Sequence, residues 1–375
     1  MDNQTINQIA QERTEEFVVN IGPQHPSTHG VLRLETTLDG ETIKNILPHL
    51  GYIHRGIEKM SESLNYKQFV HLTSRMDYLA AHINNQACAL LVEKALQVDV
   101  PERAKVIRLI MAELQRLTSH QLWWGSCAMD VGAVTPFFVA FRDREKILEI
   151  FEENTGNRLT MNYITPGGVF TDVKPDFIKR VKDIMVQVKK NFKEYDTLIT
   201  GNFIFQHRLK NVGVLSKEQA ISLGCTGPVA RASGISCDVR KYYPYDGYDK
   251  LDFKEIVMEG GDSWTRYLVR MEEMKQSIYI IDQLIDNLPE GDHRAKMKAV
   301  IKLPEGEYYQ RVETPRGELG VYIVSDGNAK PYRVKYRTPN FSNLAAVKPI
   351  NIGAKIGDLM ASMATIDLVI PDIDR

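Results

Sequence analysis

Two long segments with a helical period of apolar residues constrain the fold of this 375-residue chain more than any other feature. The first runs from about Pro175 to Ile199 and the second from about Asp262 to Leu288, and each carries polar residues on the opposite face. Such a face is buried against neighbouring elements, and a helix of this length crosses a whole domain. Asn84–Leu96 and Glu102–Leu122 show the same period upstream. The sequence therefore predicts a core built as a helical bundle.

Short β segments are predicted near both ends of the chain. Apolar residues at Phe17–Ile21 are followed by two alternating segments that flank Asp39-Gly40, a dipeptide typical of tight hairpin turns. Near the C-terminus, Gly320–Ser325 and Tyr332–Arg337 bracket a second such dipeptide, Asp326-Gly327. We therefore expect an α+β fold, mainly α, with small antiparallel β hairpins and sheets near the N- and C-termini.

One folded unit is expected to include nearly the whole chain, because the sequence contains no repeats and no low-complexity linkers. Residues 1–16 are polar and acidic, and we expect them to form a flexible N-terminal extension. Residues 17–375 are expected to form a single domain. Within it we expect a β region at 17–50, a helical core at 51–300 and, at 301–375, a β hairpin followed by a C-terminal tail.

The charge balance and the apolar segments limit the possible partners. The chain has 47 basic and 48 acidic residues, and this near-neutral balance disfavours nucleic acid as the main partner. No apolar stretch is long enough to span a bilayer, and the polar N-terminus does not have the pattern of a secretory signal. We therefore expect the chain to stay in the cytoplasm.

The four cysteines do not indicate a metal site. Cys88, Cys127, Cys225 and Cys237 form no C-x-x-C pair, whereas zinc and iron–sulfur sites use paired thiolates at short spacing. Buried, reduced thiols are the better interpretation. The chain is expected to bind no metal ion or cluster of its own.

Histidines and aspartates in four short strings are the candidates for chemistry. His25 and His29 lie in the string GPQHPSTHG (22–30), where prolines and glycines prevent a regular helix, so their spacing does not indicate a zinc-binding helix. They form either a turn with hydrogen-bonded imidazoles or part of a site that moves protons near neutral pH. The other strings are HLGYIHRGIEK (49–59), RMDY (75–78) and MDVGA (129–133).

The aspartates of the last two strings need partners if they are buried. An unpaired buried carboxylate costs several kcal/mol or takes up a proton, and an arginine in the core is the simplest partner for Asp77 or Asp130. The sequence contains no nucleophile motif, phosphate-binding loop or dinucleotide fingerprint. Residue spacing alone leaves the reaction open.

Seven strings together resemble those of a known family. They are GPQHPSTHGVLRL (22–34), HLGYIHRGIEK (49–59), RMDY (75–78), DVGAVTPFF (130–138), PGGV (166–169), GCTGPVAR (224–231) and ATIDLVIPDIDR (364–375). From Phe17 to Arg375 the chain resembles the D subunits of bacterial NADH-quinone oxidoreductase, the 49-kilodalton subunit family of respiratory complex I. This family is related to the large subunit of nickel–iron hydrogenases, so the resemblance implies a hydrogenase large-subunit-like domain.

The resemblance also implies that the ancestral nickel site has been lost. In the hydrogenases two cysteine pairs hold the metal, and the corresponding positions here are Asp77 and Ala80 in the first half and Val369 and Asp372 near the C-terminus. Without thiolates at these positions a soft-ligand nickel site is excluded. The resemblance implies that the cavity holds a quinone headgroup instead.

The function implied by the resemblance is that of the quinone-site subunit in the peripheral arm of a proton-pumping NADH:quinone oxidoreductase. The quinone, menaquinone or ubiquinone, is expected between this chain and the iron–sulfur B subunit, whose terminal 4Fe–4S cluster supplies the electrons. The C and I subunits and the membrane-embedded H subunit are the other expected partners, with C as a separate chain. The expected location is peripheral, on the cytoplasmic face of the bacterial inner membrane, and the isolated chain is expected to be inactive.

Roles for individual residues follow from their positions in the family's motifs. Tyr78 and His29 are expected to hydrogen-bond the quinone oxygens and to donate protons as the quinone is reduced. Asp130 is expected to pair with His29, which would raise the histidine pKa and fix its tautomer. His25 and Asp367 are expected to line the quinone cavity.

Three further residues are expected near the terminal cluster. Arg55 and Arg75 match arginines whose positive charge favours the reduced cluster. Thr160 departs from the family pattern, in which a histidine commonly stands at this position and couples cluster reduction to proton uptake; Thr165 likewise replaces an arginine. We therefore expect a terminal cluster with a lower, nearly pH-independent potential, suited to a low-potential quinone such as menaquinone.

Two other functions are compatible with parts of the sequence. A hydrogenase-type metalloenzyme is opposed by the missing cysteines. A scaffold subunit of a ferredoxin-linked complex I-like or hydrogenase-related membrane complex would need no quinone chemistry. Tyr78, His29 and Asp130 are all present at their motif positions, which favours the enzyme subunit.

Overall fold

The computed structural model describes residues 16–25 and 29–375. The predicted N-terminal extension, residues 1–16, lies outside these ranges apart from Glu16, which begins the first strand. Residues 26–28, between His25 and His29, also lie outside them.

Helices form about half of the described chain, in agreement with the predicted fold, α+β and mainly α. The helices are α1 (Ile57–Ser63), α2 (Val70–Thr73), α3 (Ala81–Leu96), α4 (Glu102–Asp130), α5 (Thr135–Thr155), α6 (Phe177–Tyr195), α7 (Phe203–Leu209), α8 (Lys217–Ser222), α9 (Gly227–Arg231), α10 (Val239–Tyr242), α11 (Ser263–Ile285), α12 (Pro339–Leu344), α13 (Val347–Asn351), α14 (Ile356–Ile366) and α15 (Ile370–Ile373). Their apolar faces meet in one large core, to which α3, α4, α5, α6 and α11 all contribute.

The two amphipathic segments form helices with slightly different bounds from those predicted. The first is α6, which continues into a π-helical turn at Asp196–Thr200. The second is α11, which begins where the side chain of Asp262 accepts a hydrogen bond of 2.8 Å from the backbone N–H of Thr265. This contact satisfies one of the free donors at the helix N-terminus.

Helix α4 is the central element of the bundle. It packs against α3, α5 and α11 and is buried along most of its 29 residues. It extends beyond the predicted end at Leu122, because small and apolar residues continue the buried face as far as Ala128. Its last residue, Asp130, is thereby carried to the end of the bundle.

Most strands form small antiparallel sheets near both ends of the chain, as predicted, and one two-stranded sheet lies in the middle of the chain. The strands are β1 (Glu16–Ile21), β2 (Gln24–His25), β3 (Gly30–Val31), β4 (Arg33–Asp39), β5 (Thr42–His49), β6 (Ile164–Thr165), β7 (Gly168–Val169), β8 (Gly306–Thr314), β9 (Gly317–Ser325) and β10 (Arg333–Arg337). One three-stranded sheet has the order β1-β4-β5 and the other β10-β9-β8. Strand β8, which pairs with β9, was not predicted from the sequence.

The N-terminal sheet and the C-terminal helices share a second, smaller core. Strand β3 lies against α15, and a side chain at Gly30 would place its Cβ 2.6 Å from Cγ1 of Ile370. This close approach brings His29 next to the C-terminal segment. Within the described ranges, no helix has both the length and the apolar character that crossing a membrane requires.

Candidate active site

A cavity of about 580 Å³ lies where four separate segments of the chain meet. It is lined by Tyr52, Ile53, His54, Arg55, Arg75, Tyr78, Leu159, Thr160 and Pro371. Four of the predicted site residues, Arg55, Arg75, Tyr78 and Thr160, are therefore brought together. The walls are mainly apolar with a few polar groups, which is the usual character of a small-molecule site.

The loop before α1, which forms one wall, is fixed by the C-terminal segment. The carboxylate of Asp374 accepts hydrogen bonds from the backbone N–H of Gly51 at 2.9 Å and of Ile53 at 3.1 Å. The ring of His54 bonds the backbone carbonyl of Asp374 at 2.5 Å. These contacts hold Arg55, the next residue, at the cavity.

The two cavity arginines are oriented by backbone carbonyls. Arg55 donates to the carbonyl oxygen of Arg75 at 2.9 Å, and Arg75 donates to that of His71 at 2.6 Å. Neither forms an ion pair with a carboxylate of the described chain. The cavity lining also contains no Asp or Glu, so this wall presents uncompensated positive charge.

Tyr78 presents a hydroxyl group that makes no hydrogen bond with any residue in the described ranges. It begins a short 3-10 helix, Tyr78–Ala80, and the side chain of Asp77 caps this turn by accepting from the N–H of Leu79 at 3.0 Å. Burial raises the pKa of the Tyr78 phenol, and the positive charge of Arg316 opposes that shift. The phenol is therefore protonated at neutral pH and available as a donor.

His29 and Asp130 form the predicted pair. Nε2 of His29 and Oδ2 of Asp130 are 2.6 Å apart, and the carboxylate is only 3% exposed. His29 has a left-handed backbone conformation, with φ 52°, which turns the chain between β2 and β3. Burial lowers the pKa of His29, but the hydrogen bond and the negative charge of Asp130 raise it more, so the net shift is upward.

Asp130→Asn is expected to lower the pKa of His29, because the substitution removes the main interaction that favours the imidazolium ion. A folded-state pKa above the ordinary 6.5 means that charged His29 stabilises the fold at low pH. This contribution is lost as the pH rises through the folded pKa. The difference in unfolding free energy between the wild type and Asp130→Asn should therefore shrink with rising pH.

The measurement is an NMR titration of the His29 ring protons, assigned with a His29→Gln variant. We expect a midpoint above 6.5 in the wild-type chain and a lower one in Asp130→Asn. An unchanged midpoint would mean that the carboxylate does not control the protonation of the ring.

A buried group of charges that was not predicted as a unit lies behind the cavity. Arg316, between β8 and β9, is bound by Asp77 at 3.1 Å and by Asp367 at 2.9 Å. It also donates to the hydroxyl of Ser119 at 3.0 Å and to the backbone carbonyl of Asp367 at 3.0 Å. The expectation that Asp77 needs a core arginine is thus met, although nothing in the sequence showed which one.

Two further buried acids, Asp77 and Asp372, do not have their ordinary acidity. Burial raises the pKa of Asp77. The positive charge of Arg316 opposes this shift, and the negative charge of Asp367 raises the pKa further. Burial and the charge of Asp77 raise the pKa of Asp372 to about 7. These positions therefore contain acids that hold protons readily. No group of three potential metal-ligating residues occurs in the part of the chain that the structure describes.

The remaining predicted residues lie outside the cavity lining. His25 lies in β2 and is exposed, while Asp367 is buried at the end of α14, directed towards Arg316. His29 and Asp130 also do not line the cavity. Arg316 and Asp367 nevertheless affect the pKa of both Tyr78 and His29, so the two predicted proton donors lie near the same buried charges.

Comparisons with known proteins point to one family. The family described as "Respiratory-chain NADH dehydrogenase, 49 Kd subunit" matches residues 130–375. The fused C/D chain of NADH-quinone oxidoreductase from Bacteroides thetaiotaomicron is 56% identical over 361 residues, which is 96% of this chain and 68% of that protein. The D subunit of the same enzyme from Desulforamulus reducens is 47% identical over 362 residues, 96% of this chain and 99% of the relative. The D subunit from Bacillus cytotoxicus is 44% identical with the same coverage.

Proposed function

This chain belongs to the 49-kilodalton subunit family of respiratory-chain NADH dehydrogenase, and on that basis we propose that the cavity at Tyr78 binds the headgroup of the quinone reduced by the complex. The chain is then one subunit of an NADH-quinone oxidoreductase. The observation that carries the proposal is the phenol of Tyr78, which lines a mainly apolar cavity and makes no hydrogen bond with a described residue. Two arginines without carboxylate partners among the described residues line the same cavity.

The arrangement suits two-electron reduction of a quinone. Each carbonyl oxygen gains negative charge as electrons arrive, and a positioned donor that gives up its proton removes that charge. Tyr78 is the direct donor in this proposal. His29 is the second proton donor in this proposal. Its hydrogen bond to Asp130 favours the protonated ring that a donor requires. The electrons come from a 4Fe–4S cluster in the B subunit, which also supplies the opposite wall of the cavity.

Arg55, Arg75 and Thr160 form the part of the lining assigned to the neighbourhood of that cluster. The two arginines favour its reduced form through their charge. The hydroxyl group of Thr160 exchanges no proton near neutral pH, in contrast to the histidine that commonly stands at this position in the family. A redox titration of the terminal cluster in the complex should therefore show a potential that changes little with pH, and a steep fall through neutral pH would contradict this assignment.

Filling the cavity tests whether it is the quinone site. Leu159 lines the cavity and is 41% exposed, so Leu159→Trp should reduce the free volume without disturbing the buried core. We expect headgroup binding to weaken by about 1–3 kcal/mol, the usual penalty of overpacking, seen as a higher KM for a short-chain quinone. Ile221→Trp, at an exposed position on α8, is the control. An unchanged KM in Leu159→Trp would place the quinone elsewhere.

The proposed partners follow from the same family. A fused C/D chain in Bacteroides suggests that the C subunit packs next to this one. The B and I subunits and the membrane-embedded H subunit complete the proposed surroundings, and the proposed place is peripheral, on the cytoplasmic face of the inner membrane. The alternative of a scaffold in a ferredoxin-linked complex is less favoured, because the free phenol and the His29–Asp130 pair have no evident use in a scaffold.

A further inference from the structure

His54 contacts the C-terminal segment through one of its two ring nitrogens. Its Nδ1 lies 2.5 Å from the backbone carbonyl oxygen of Asp374. A carbonyl oxygen can only accept a hydrogen bond, so Nδ1 carries the hydrogen of this pair. The bond therefore fixes the tautomer of the neutral ring, in which Nε2 has a lone pair and no hydrogen.

The other ring nitrogen of His54 is accessible to a ligand in the cavity at Tyr78. Nε2 makes no hydrogen bond with a residue in the described ranges. His54 lines that cavity and also a second one of about 350 Å³, which Asp374 lines as well. The two nitrogens of an imidazole point in different directions, so the bond of Nδ1 to Asp374 directs Nε2 away from this residue and towards the first cavity. Because His54 is exposed, a bound molecule can reach the nitrogen.

Nε2 differs in hydrogen-bonding capacity from the other polar groups of the cavity lining. The guanidinium groups of Arg55 and Arg75 can only donate hydrogen bonds. Three hydroxyl groups can donate or accept, and they belong to Tyr52, Tyr78 and Thr160. The remaining side chains of the lining are apolar. The neutral ring of His54 therefore supplies an atom that accepts and does not donate, in a lining otherwise rich in donors.

A quinone and its quinol differ in this same property. Both ring oxygens of a quinone are carbonyl oxygens, which can only accept hydrogen bonds. Reduction by two electrons and two protons converts them into hydroxyl groups, which also donate. Donors in the cavity therefore suit both forms, whereas an acceptor without a hydrogen suits the quinol and places its lone pair against the lone pairs of a quinone oxygen.

We propose that His54 recognises the quinol, with Nε2 accepting a hydrogen bond from one of its hydroxyl groups. This inference rests on the quinone site proposed above and adds the residue that distinguishes the product from the substrate. The hydrogen bond forms only after reduction has placed a hydrogen on the ring oxygen. His54 thus holds the product in the cavity and strengthens product inhibition, without strengthening the binding of the quinone.

Two amide substitutions separate the roles of the two ring nitrogens. In His54→Asn the side-chain NH₂ group takes about the position of Nδ1 and keeps the bond to the Asp374 carbonyl, while Nε2 is lost. In His54→Gln the amide oxygen reaches about the position of Nε2 and can accept from a hydroxyl group. The readouts in the assembled complex are the KM of a short-chain quinone and the inhibition constant of the corresponding quinol. His207→Asn, at an exposed position on α7, is the control.

We expect His54→Asn to raise the inhibition constant of the quinol about five- to tenfold, the usual effect of one lost hydrogen bond, and to change the KM of the quinone less than about twofold. His54→Gln should keep most of the affinity for the quinol, and His207→Asn should behave as the wild type. A purely structural role of His54 would change both constants together, because a displaced loop would also move Arg55.

Three results would overturn the inference. They are an unchanged inhibition constant in His54→Asn, an equal rise in both constants, and a rise in KM alone, which would mean that a protonated His54 donates to the quinone. A failure of the proposed function itself looks different. Leu159→Trp would then leave the KM unchanged, and Tyr78→Phe would retain normal quinone reduction.

Discussion

Tyr78→Phe is expected to lower quinone reduction by the assembled complex about 100-fold, the lower range of what a positioned proton donor contributes. The substitution removes one hydroxyl and keeps the ring. That hydroxyl makes no hydrogen bond within the described chain, so its loss leaves no buried group without a partner and should not affect folding. The effect should therefore appear in kcat, with the complex intact.

The assay compares electron transfer from NADH to a short-chain quinone with transfer to an artificial acceptor that takes electrons before the quinone site. Only the first should fall. Tyr332→Phe, at a position that is 70% exposed, is the matched control and should behave as the wild type. Normal quinone reduction in Tyr78→Phe would favour the scaffold function, since the donor on which the mechanism depends would be dispensable.

Arg316→Met is expected to destabilise the chain by about 3–5 kcal/mol, the usual effect of removing one partner from a buried ion pair. Here one cation neutralises two carboxylates, Asp77 and Asp367, and both are almost fully buried. Without the arginine, burial and the charge of Asp367 would raise the pKa of Asp77 further above the ordinary 3.8. Asp77 would then have to be protonated in the folded state. An acid whose pKa is higher in the folded than in the unfolded state loses stability as the pH rises.

The destabilisation by Arg316→Met should therefore be larger at about pH 8 than at about pH 5, measured by chemical unfolding of the full chain. Asp77→Asn combined with Asp367→Asn in the same background removes the two uncompensated charges and should restore part of the stability. Equal destabilisation with aspartates and with asparagines would show that lost packing, and not charge, is responsible.

The helical and hairpin segments could be predicted because their signals are local. The apolar period of α6 and α11 and the turn dipeptide at Asp39-Gly40 each depend on neighbouring residues in the sequence. Strand β8 was missed because polar residues interrupt its apolar alternation, and it is recognised only through its pairing with β9.

The candidate site could be predicted only in part, because it is assembled from distant segments. Motif positions indicated Tyr78 and the His29–Asp130 pair, whose members are 101 residues apart. Arg316 was missed because its two carboxylates come from opposite ends of the chain, and no local pattern marks such a group.

The central claim, that the cavity at Tyr78 holds the quinone headgroup, is tested most directly by photoaffinity labelling of the assembled complex with a quinone that carries an azide on its ring. The labelled peptides of this chain should be those that line the cavity and contain Arg55, Tyr78 or Leu159. Excess unmodified quinone should prevent the labelling. Labels confined to other surfaces of the chain, such as the groove between α6 and α11 at Lys189 and Tyr279, would contradict the account.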